Sequence, residues 1–275
     1  MRVTCPVCMH HCQLEPDQVG ICHARKNEQG NIVSINYGKI TSLALDPIEK
    51  KPLARFYPKN FILSVGSFGC NLRCPFCQNF GISMAAEKEV RTKFISPSHL
   101  TEQAIELIKN GNIGVAFTYN EPLVGYEYVL DTSRLLHEAG LKSVVVTNGS
   151  VTTAIAELVL PHIDALNIDL KGFSEKYYKK LGGDLETTKK FITLAASQCH
   201  VELTTLIVPG ENDTREEMAA LSAWVARIDK DIPLHVSRFF PRYNMVNVDA
   251  TPVSTIYALA YEARKNLQYV YTGNC

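Results

Sequence analysis

The sequence predicts an α/β fold: a parallel sheet covered by helices over residues 57–275, preceded by a small cysteine-rich β extension over residues 1–56. Three observations carry this. Short apolar runs recur at 61–65, 113–118, 142–147, 165–170, 201–208, 234–239 and 269–272, each of strand length. Amphipathic stretches of helical period lie between them, and strand–helix alternation builds right-handed βαβ units on a parallel sheet. Four of the nine cysteines fall before residue 23, a local density that core packing does not require.

The chain opens with Cys5-x2-Cys8-x3-Cys12-x9-Cys22, with His10, His11 and His23 in or beside the cluster. These thiols are a ligand set in their own right. They suit a structural zinc that folds a segment too short to make its own core, or an auxiliary iron–sulfur cluster. Cys5-Pro6-Val7-Cys8 is also a C-x-x-C, so a redox-active thiol group is the alternative. A metal ranks ahead of free thiols, and spacing alone does not separate zinc from iron. Residues 31–36 and 39–45 mix apolar and polar positions on either side of Tyr37-Gly38, which predicts a β-hairpin. Residues 46–53 are charged and bracketed by Pro47 and Pro52, which reads as a solvated linker, with a loop folded over the active site as the alternative.

Helix boundaries follow from capping residues. Ser96 before Pro97 opens a helix to Asn110 that carries Leu100, Ala104, Leu107 and Ile108 on one face. Asp213-Thr214-Arg215-Glu216 resembles a capping box for a helix to Ile228, and Thr251-Pro252 starts the last one. Gly111 and Gly140 stand where helices stop. Tyr177, Tyr178, Lys179 and Lys180 read as a solvated helix face, with a substrate rim as the alternative. Six or seven βα units match either a doubly wound sheet or a TIM-like barrel, and periodicity does not choose between them. The glycine fingerprint of a dinucleotide fold is absent, since Gly66-Ser67-Phe68-Gly69 runs into cysteines.

Bulk properties exclude some functions. The chain has 28 Lys plus Arg against 28 Asp plus Glu, so it shows no electrostatic footprint for a nucleic-acid backbone, and nucleic acid is disfavoured as a partner. No apolar run approaches the roughly 18 residues of a membrane span, and Met1 to Pro6 lacks a secretory apolar core, so no membrane partner is expected. Nine cysteines in such a chain read as metal or redox ligands in a reducing cytoplasm. Cys199 and Cys275 have no cysteine neighbours in sequence.

The chemistry concentrates after the first apolar run, at Ser67-Phe68-Gly69-Cys70-Asn71-Leu72-Arg73-Cys74-Pro75-Phe76-Cys77. Three thiolates spaced C-x3-C-x2-C can hold three corners of one iron–sulfur cubane, whose fourth corner is then open to another ligand. In parallel β/α architectures the chemistry sits at the carboxyl ends of strands, and those ends supply polar residues here. Thr118-Tyr119-Asn120-Glu121-Pro122 follows the second strand; its plain reading is a turn with Glu121 at a helix start. Thr147-Asn148-Gly149-Ser150 follows the third, and its short polar side chains suit ribose hydroxyls. Asp169 and Lys171 alternate on one face of the fourth, as site residues or a buried ion pair. On the sixth, His235 and Ser237 share one face and Arg238 takes the other.

C-x3-C-x2-C with Phe76 just before the last cysteine resembles the signature of the radical S-adenosylmethionine (SAM) superfamily. The resemblance implies an α/β partial (β/α)6 TIM-like barrel of the radical SAM type over residues 57–275. It implies a [4Fe–4S] cluster on Cys70, Cys74 and Cys77, with SAM chelating the remaining iron. One electron, from a ferredoxin or flavodoxin, then cleaves the C5′–S bond to give a 5′-deoxyadenosyl radical that abstracts hydrogen. Tyr119, Asn120 and Glu121 match the place of a glycine-glycine-glutamate motif that contacts the SAM amino group, with Tyr and Asn replacing the glycines. Phe76, Asp169, Lys171 and His235 are implied as further cofactor contacts, joined by Thr147 and Asn148 at their strand end and by Arg238 if its strand end turns it inward toward an anionic group; the Asp-x-Lys and His235 resemble the activating enzymes of glycyl-radical enzymes. With the N-terminal cysteines, the chain is similar to the radical SAM component of the AmmeMemoRadiSam system and to pyruvate formate-lyase activating enzyme-like proteins. The resemblance leaves the radical's substrate unassigned. A glycyl-radical activase with a protein substrate, and a non-enzymatic iron–sulfur electron-transfer module, are the alternatives.

Overall fold

Eight strands form the main sheet in the computed structural model, which describes residues 1–275. They are β1 (Ser42–Pro47), β2 (Phe61–Gly66), β3 (Asn112–Phe117), β4 (Lys142–Thr147), β5 (Ala165–Asp169), β6 (His200–Ile207), β7 (Leu234–Arg238) and β8 (Val270–Gly273). Each strand pairs with the next in the chain, and every pair is parallel except β1–β2. A doubly wound sheet reverses its strand order at a switch point, whereas winding in one direction is the habit of barrels. No β8–β1 pairing closes the ring, so this is a partial TIM-like barrel. The sheet draws its antiparallel edge from the segment 1–56.

Helices Pro97–Glu106, Tyr126–Glu138, Thr153–Val159, Leu185–Ala196, Arg215–Ile228 and Val253–Ala263 fill the successive crossovers. Their caps are the expected ones with one shift. Ser96 accepts from His99 N with Pro97 behind it, but Thr214, not Asp213, caps its helix by accepting from Glu217 N. The outward faces of the strands, with Val145, Leu166, Ile168, Leu203 and Val236, pack on these helices as one core. No helix is long and apolar enough to cross a membrane.

Two expectations for residues 1–56 are overturned. The hairpin pairs Arg25–Glu28 with Asn31–Ser34, one strand earlier than predicted, across a Gln29-Gly30 turn. Both turn residues have positive φ (53° and 94°), the geometry of a two-residue hairpin turn, and Gly30 supplies it without strain. The segment 39–45, expected as the second arm, instead divides between a short pairing with Lys93–Phe94 and the main sheet.

The presumed linker is buried in part. Ile48, Leu53 and Phe56 pack with Ile62, Ala116, Val144 and Ala165 and plug the bore at the amino ends of the strands. Glu49 and Lys50 are exposed, but Lys51 is only 3% exposed and its Nζ lies 2.9 Å from Asp46 Oδ2. The backbone N–H groups of Ala54 and Arg55 donate to Glu202 at 2.9 and 2.8 Å, and Asn167 Nδ2 donates to Pro52 O at 2.8 Å. A buried charge such as Lys51 is tolerated where it finds a partner, as it does in Asp46.

Candidate functional site

The loop after β2 carries the second cysteine group and is tied down from several sides. Phe68 is fully buried, and its carbonyl accepts from the side chains of Asn36 and Asn120 at 2.9 and 3.2 Å. Asn120 Oδ1 takes Ser67 N at 3.0 Å, so the loop after β3 grips the loop after β2. Arg73 N donates to Leu181 O at 2.7 Å. Held this way, Cys70, Cys74 and Cys77 line one cavity of about 220 Å³ at the carboxyl ends of the strands.

Most of the expected side chains reach that cavity: Phe76 from the cysteine loop, Tyr119, Asn120 and Glu121 from β3, Thr147 and Asn148 from β4, and Asp169 and Lys171 from β5. Tyr119, where the family motif has glycine, keeps a left-handed φ of 73°. Its ring turns into the bore, where its hydroxyl donates to Asp46 Oδ2 at 3.0 Å, linking the cavity floor to the plug.

Glu121 is a strut as well as a cavity residue. It is 2% exposed and accepts from Thr147 Oγ1 and Asn148 N, both at 2.7 Å, and from Leu123 N at 3.0 Å. Burial pushes its carboxyl up to about 7, against those three donors. Thr147 thus spends its hydroxyl proton on Glu121, and Asn148 Nδ2 donates to Asn71 Oδ1 at 2.9 Å. Both side chains thereby brace neighbouring loops.

Lys171 Nζ lies 2.7 Å from Asp169 Oδ2. Burial would lower the lysine's pKa, but the Asp169 carboxylate beside it outweighs burial and keeps the ammonium charged. Burial pushes the Cys70 thiol well up and Cys74 to about 11, the latter opposed by Lys171. Such thiols become thiolates only when a metal takes the proton's place.

His235 and Arg238 do not join the site. His235 Nε2 lies 2.6 Å from Glu202 Oε2 and its ring stacks on Tyr271, so it sits in the bore below the cavity. Ser237, two residues on and on the same face, reaches the cavity instead; the offset is roughly 7 Å along a strand. Arg238 turns the other way, its Nε donating to Thr251 O at 2.7 Å and its guanidinium over Phe240. Thr204 and Ser237 line the cavity unforeseen, although polar residues alternating along apolar strands were the available signal. Tyr177 and Tyr178, expected on a solvated face, are both buried.

The residues fit an iron–sulfur group. Three thiols in a C-x3-C-x2-C loop line one cavity, which is the donor set for three corners of a cubane. The Tyr177 hydroxyl is buried without a hydrogen-bond partner in the apolar cluster that holds Cys74, an orphan that a thiolate or sulfide acceptor would satisfy. The N-terminal cysteines do not line this cavity.

Comparison with known proteins agrees with this arrangement. A family model described as the radical SAM superfamily matches residues 64–222. An uncharacterized protein of Methanocaldococcus jannaschii is 38% identical over 276 residues, covering 99% of this chain and 81% of that one. Pyruvate formate-lyase-activating enzyme of Clostridium pasteurianum is 26% identical over 208 residues, covering 73% of this chain and 85% of its own. Among solved structures, Streptococcus suis SuiB bound to S-adenosylmethionine superposes with a TM-score of 0.58 at 15% identity, over 75% of this chain and 48% of SuiB.

Proposed function

The chain belongs to the radical SAM superfamily, and on that premise we propose that it is an enzyme that cleaves SAM reductively and abstracts hydrogen from a substrate still to be assigned. The observation that carries this reading is the convergence of three thiols, a buried carboxyl and a buried Asp–Lys pair on one cavity. Cys70, Cys74 and Cys77 would hold a [4Fe–4S] cluster, which together with SAM would supply the one-electron radical chemistry.

The protein's own groups bind and orient. Glu121 accepts from the SAM ammonium, its carboxyl held in place by Thr147, Asn148 and Leu123. Lys171 stays cationic beside the thiolates and faces the SAM carboxylate, with Asp169 fixing its position. Tyr177 donates its free hydroxyl toward the sulfur at Cys74. Leu72, Phe76 and Leu206 line the same cavity and keep water away from a reactive radical. The electron comes from a low-potential carrier of the ferredoxin or flavodoxin class.

Anaerobic reconstitution with iron and sulfide, followed by dithionite and SAM, tests the proposal: 5′-deoxyadenosine and methionine are expected in equal amounts. Their absence from a fully iron-loaded sample would sink it. Glu121→Gln is expected to weaken SAM binding by about 10- to 100-fold, the worth of a hydrogen bond to a charged group. Equilibrium binding of SAM to the iron-loaded variant checks this, and unchanged affinity would remove Glu121 from the amino-group role.

A second reading, activation of a glycyl-radical enzyme, is favoured by the similarity to a pyruvate formate-lyase-activating enzyme. Phe80 and Tyr243, stacked at 4.5 Å with Phe80 exposed, add an aromatic rim beside the cysteine loop on which a protein loop could rest. A glycyl-radical signal in electron paramagnetic resonance (EPR), after mixing with such an enzyme, separates this reading from small-molecule chemistry.

A further inference from the structure

We propose that Cys5, Cys8, Cys12 and Cys22 hold a second iron–sulfur cluster, which passes its electron to the cluster at Cys70, Cys74 and Cys77. The proposal rests on the reading of those three cysteines given above and extends it to how the electron arrives.

The four thiols are brought together by design of the segment. Val3–Thr4 pairs antiparallel with Gln13–Leu14, and Cys5 N donates to Cys12 O at 2.8 Å across that ladder. Cys5 lies in electrostatic reach of Cys12 and Cys22, and Cys8 of Cys5 and Cys22. Backbone N–H groups point at the sulfurs: Val7 at Cys5, His10 at Cys8, and both Ala24 and Arg25 at Cys22. An N–H two residues beyond a cysteine, aimed back at its sulfur, is a donor placed for a thiolate, because hydrogen bonds to ionised acceptors are the strong ones. Positive charge is supplied as well. Arg25 is 2% exposed, acts on Cys5 and Cys22, and is anchored by Glu127 and by Val124 O.

Spacing selects the occupant. A zinc ion draws four sulfurs to about 2.3 Å from one centre. No group of three or more such side chains could hold a single metal ion, here or at the Cys70 group, where the proposed function places a cubane. A polynuclear cluster fits both.

Two bonded routes join the sites. Cys22 O accepts Cys70 N–H at 3.1 Å, so a ligand of one group is hydrogen-bonded to a ligand of the other. Gly69 makes this approach achievable: its φ is 92°, and a Cβ there would stand 2.5 Å from Cys22 O. On the second route, the Asn71 side chain bonds Cys8 and accepts from Asn148 Nδ2, which lies 3.7 Å from Cys70 Sγ. His10 Nε2, 2.8 Å from Asn71 O, locks the two loops together. The outer edge is open to a donor: Cys12 is half-buried, and Val19 and Ile21 are 41% and 43% exposed around it. One electron from a reduced ferredoxin- or flavodoxin-class carrier reduces the N-terminal cluster. That cluster gives the electron to the second one and returns to its oxidised state, so one carrier is oxidised per SAM cleaved.

The full chain with Cys70, Cys74 and Cys77 all replaced by alanine, reconstituted anaerobically, isolates the N-terminal site. About four irons and four sulfides per chain are expected, with a cluster EPR signal on dithionite reduction. Stoichiometric zinc without iron, or a folded chain with no metal, would overturn the cluster. For the relay, Cys8→Ala is expected to lower the ratio of flavodoxin-driven to dithionite-driven 5′-deoxyadenosine formation at least about tenfold. An equal loss under both reductants would mean that Cys8 acts structurally and would overturn the relay. Failure of the unaltered protein to cleave SAM with dithionite strikes the proposed function instead, and leaves the iron count of the alanine variant standing.

Discussion

Cys74→Ala is expected to abolish both the visible absorbance of the Cys70–Cys77 site and 5′-deoxyadenosine formation, while the fold survives. Measured in the wild-type background, the absorbance falls to that of the N-terminal cysteines alone. Cys74 is 7% exposed among Leu72, Phe76, Tyr177 and Phe239, so the deletion removes one methylene-sized group from an apolar cluster. That costs about 1 kcal/mol and, for a chain of this size, a fall in Tm of about 2–4 °C. The chemical loss is of another order, because two thiolates cannot hold three irons of a cubane. Lys171 adds to it: its ammonium would face one thiolate fewer and turn wholly to Asp169. Cys199→Ala is the matched control. Its sulfur bonds Ala195 O at 3.5 Å and packs at the edge of the main core, away from the cavity, so absorbance and cleavage should both persist. Iron content and turnover near wild type in Cys74→Ala would remove the premise of the proposed function.

The parts of this architecture that were legible in the sequence are those set by local rules. Apolar runs bounded by Ser96–Pro97, Gly111 and Gly140 gave strands and helix ends that the structure keeps, with Gly111 and Gly140 both at left-handed φ. The winding direction was not legible, because periodicity describes each element alone and the strand order is a property of the whole sheet. Alternation along β5 correctly sent Asp169 and Lys171 to one face, yet the same rule misjudged His235. Alternation fixes the face of a strand but not the depth along it, and His235 sits one layer below the cavity while Ser237 reaches it. The segment 46–56 was misread for a related reason. Residues 46–53 looked solvated, yet the amides just beyond them, of Ala54 and Arg55, donate to Glu202, which lies about 150 residues away and gives no local sign.

That distant acceptor is where the largest loss of stability is expected. Glu202 is completely buried and accepts four hydrogen bonds, from Ala54 N, Arg55 N, His200 Nε2 at 3.0 Å and His235 Nε2 at 2.6 Å. Glu202→Ala leaves two backbone amides and two imidazoles without a partner and opens a void, which should cost about 3–5 kcal/mol in denaturant unfolding at pH 7. Acidification probes the same group. Burial alone would raise the Glu202 pKa, but the two histidines and the two amides overcome it and hold the carboxyl at about 2, against 4.5 unfolded. A depressed carboxyl contributes stability that is complete above its unfolded value and is lost as pH falls toward its folded one. The window is therefore about pH 4.5 to 2, and the shift corresponds to roughly 3 kcal/mol. Glu202→Gln keeps the shape without the titration, so it should start less stable at pH 7 and lose less than wild type between pH 5 and 2. Parallel pH profiles for the two proteins would show that other carboxylates dominate acid unfolding. The consequence reaches the site, because Glu202 anchors the plug whose Lys51 and Asp46 meet Tyr119 at the cavity floor. Loosening of that floor should appear as faster hydrogen exchange at Ala54 and Arg55, ahead of global unfolding.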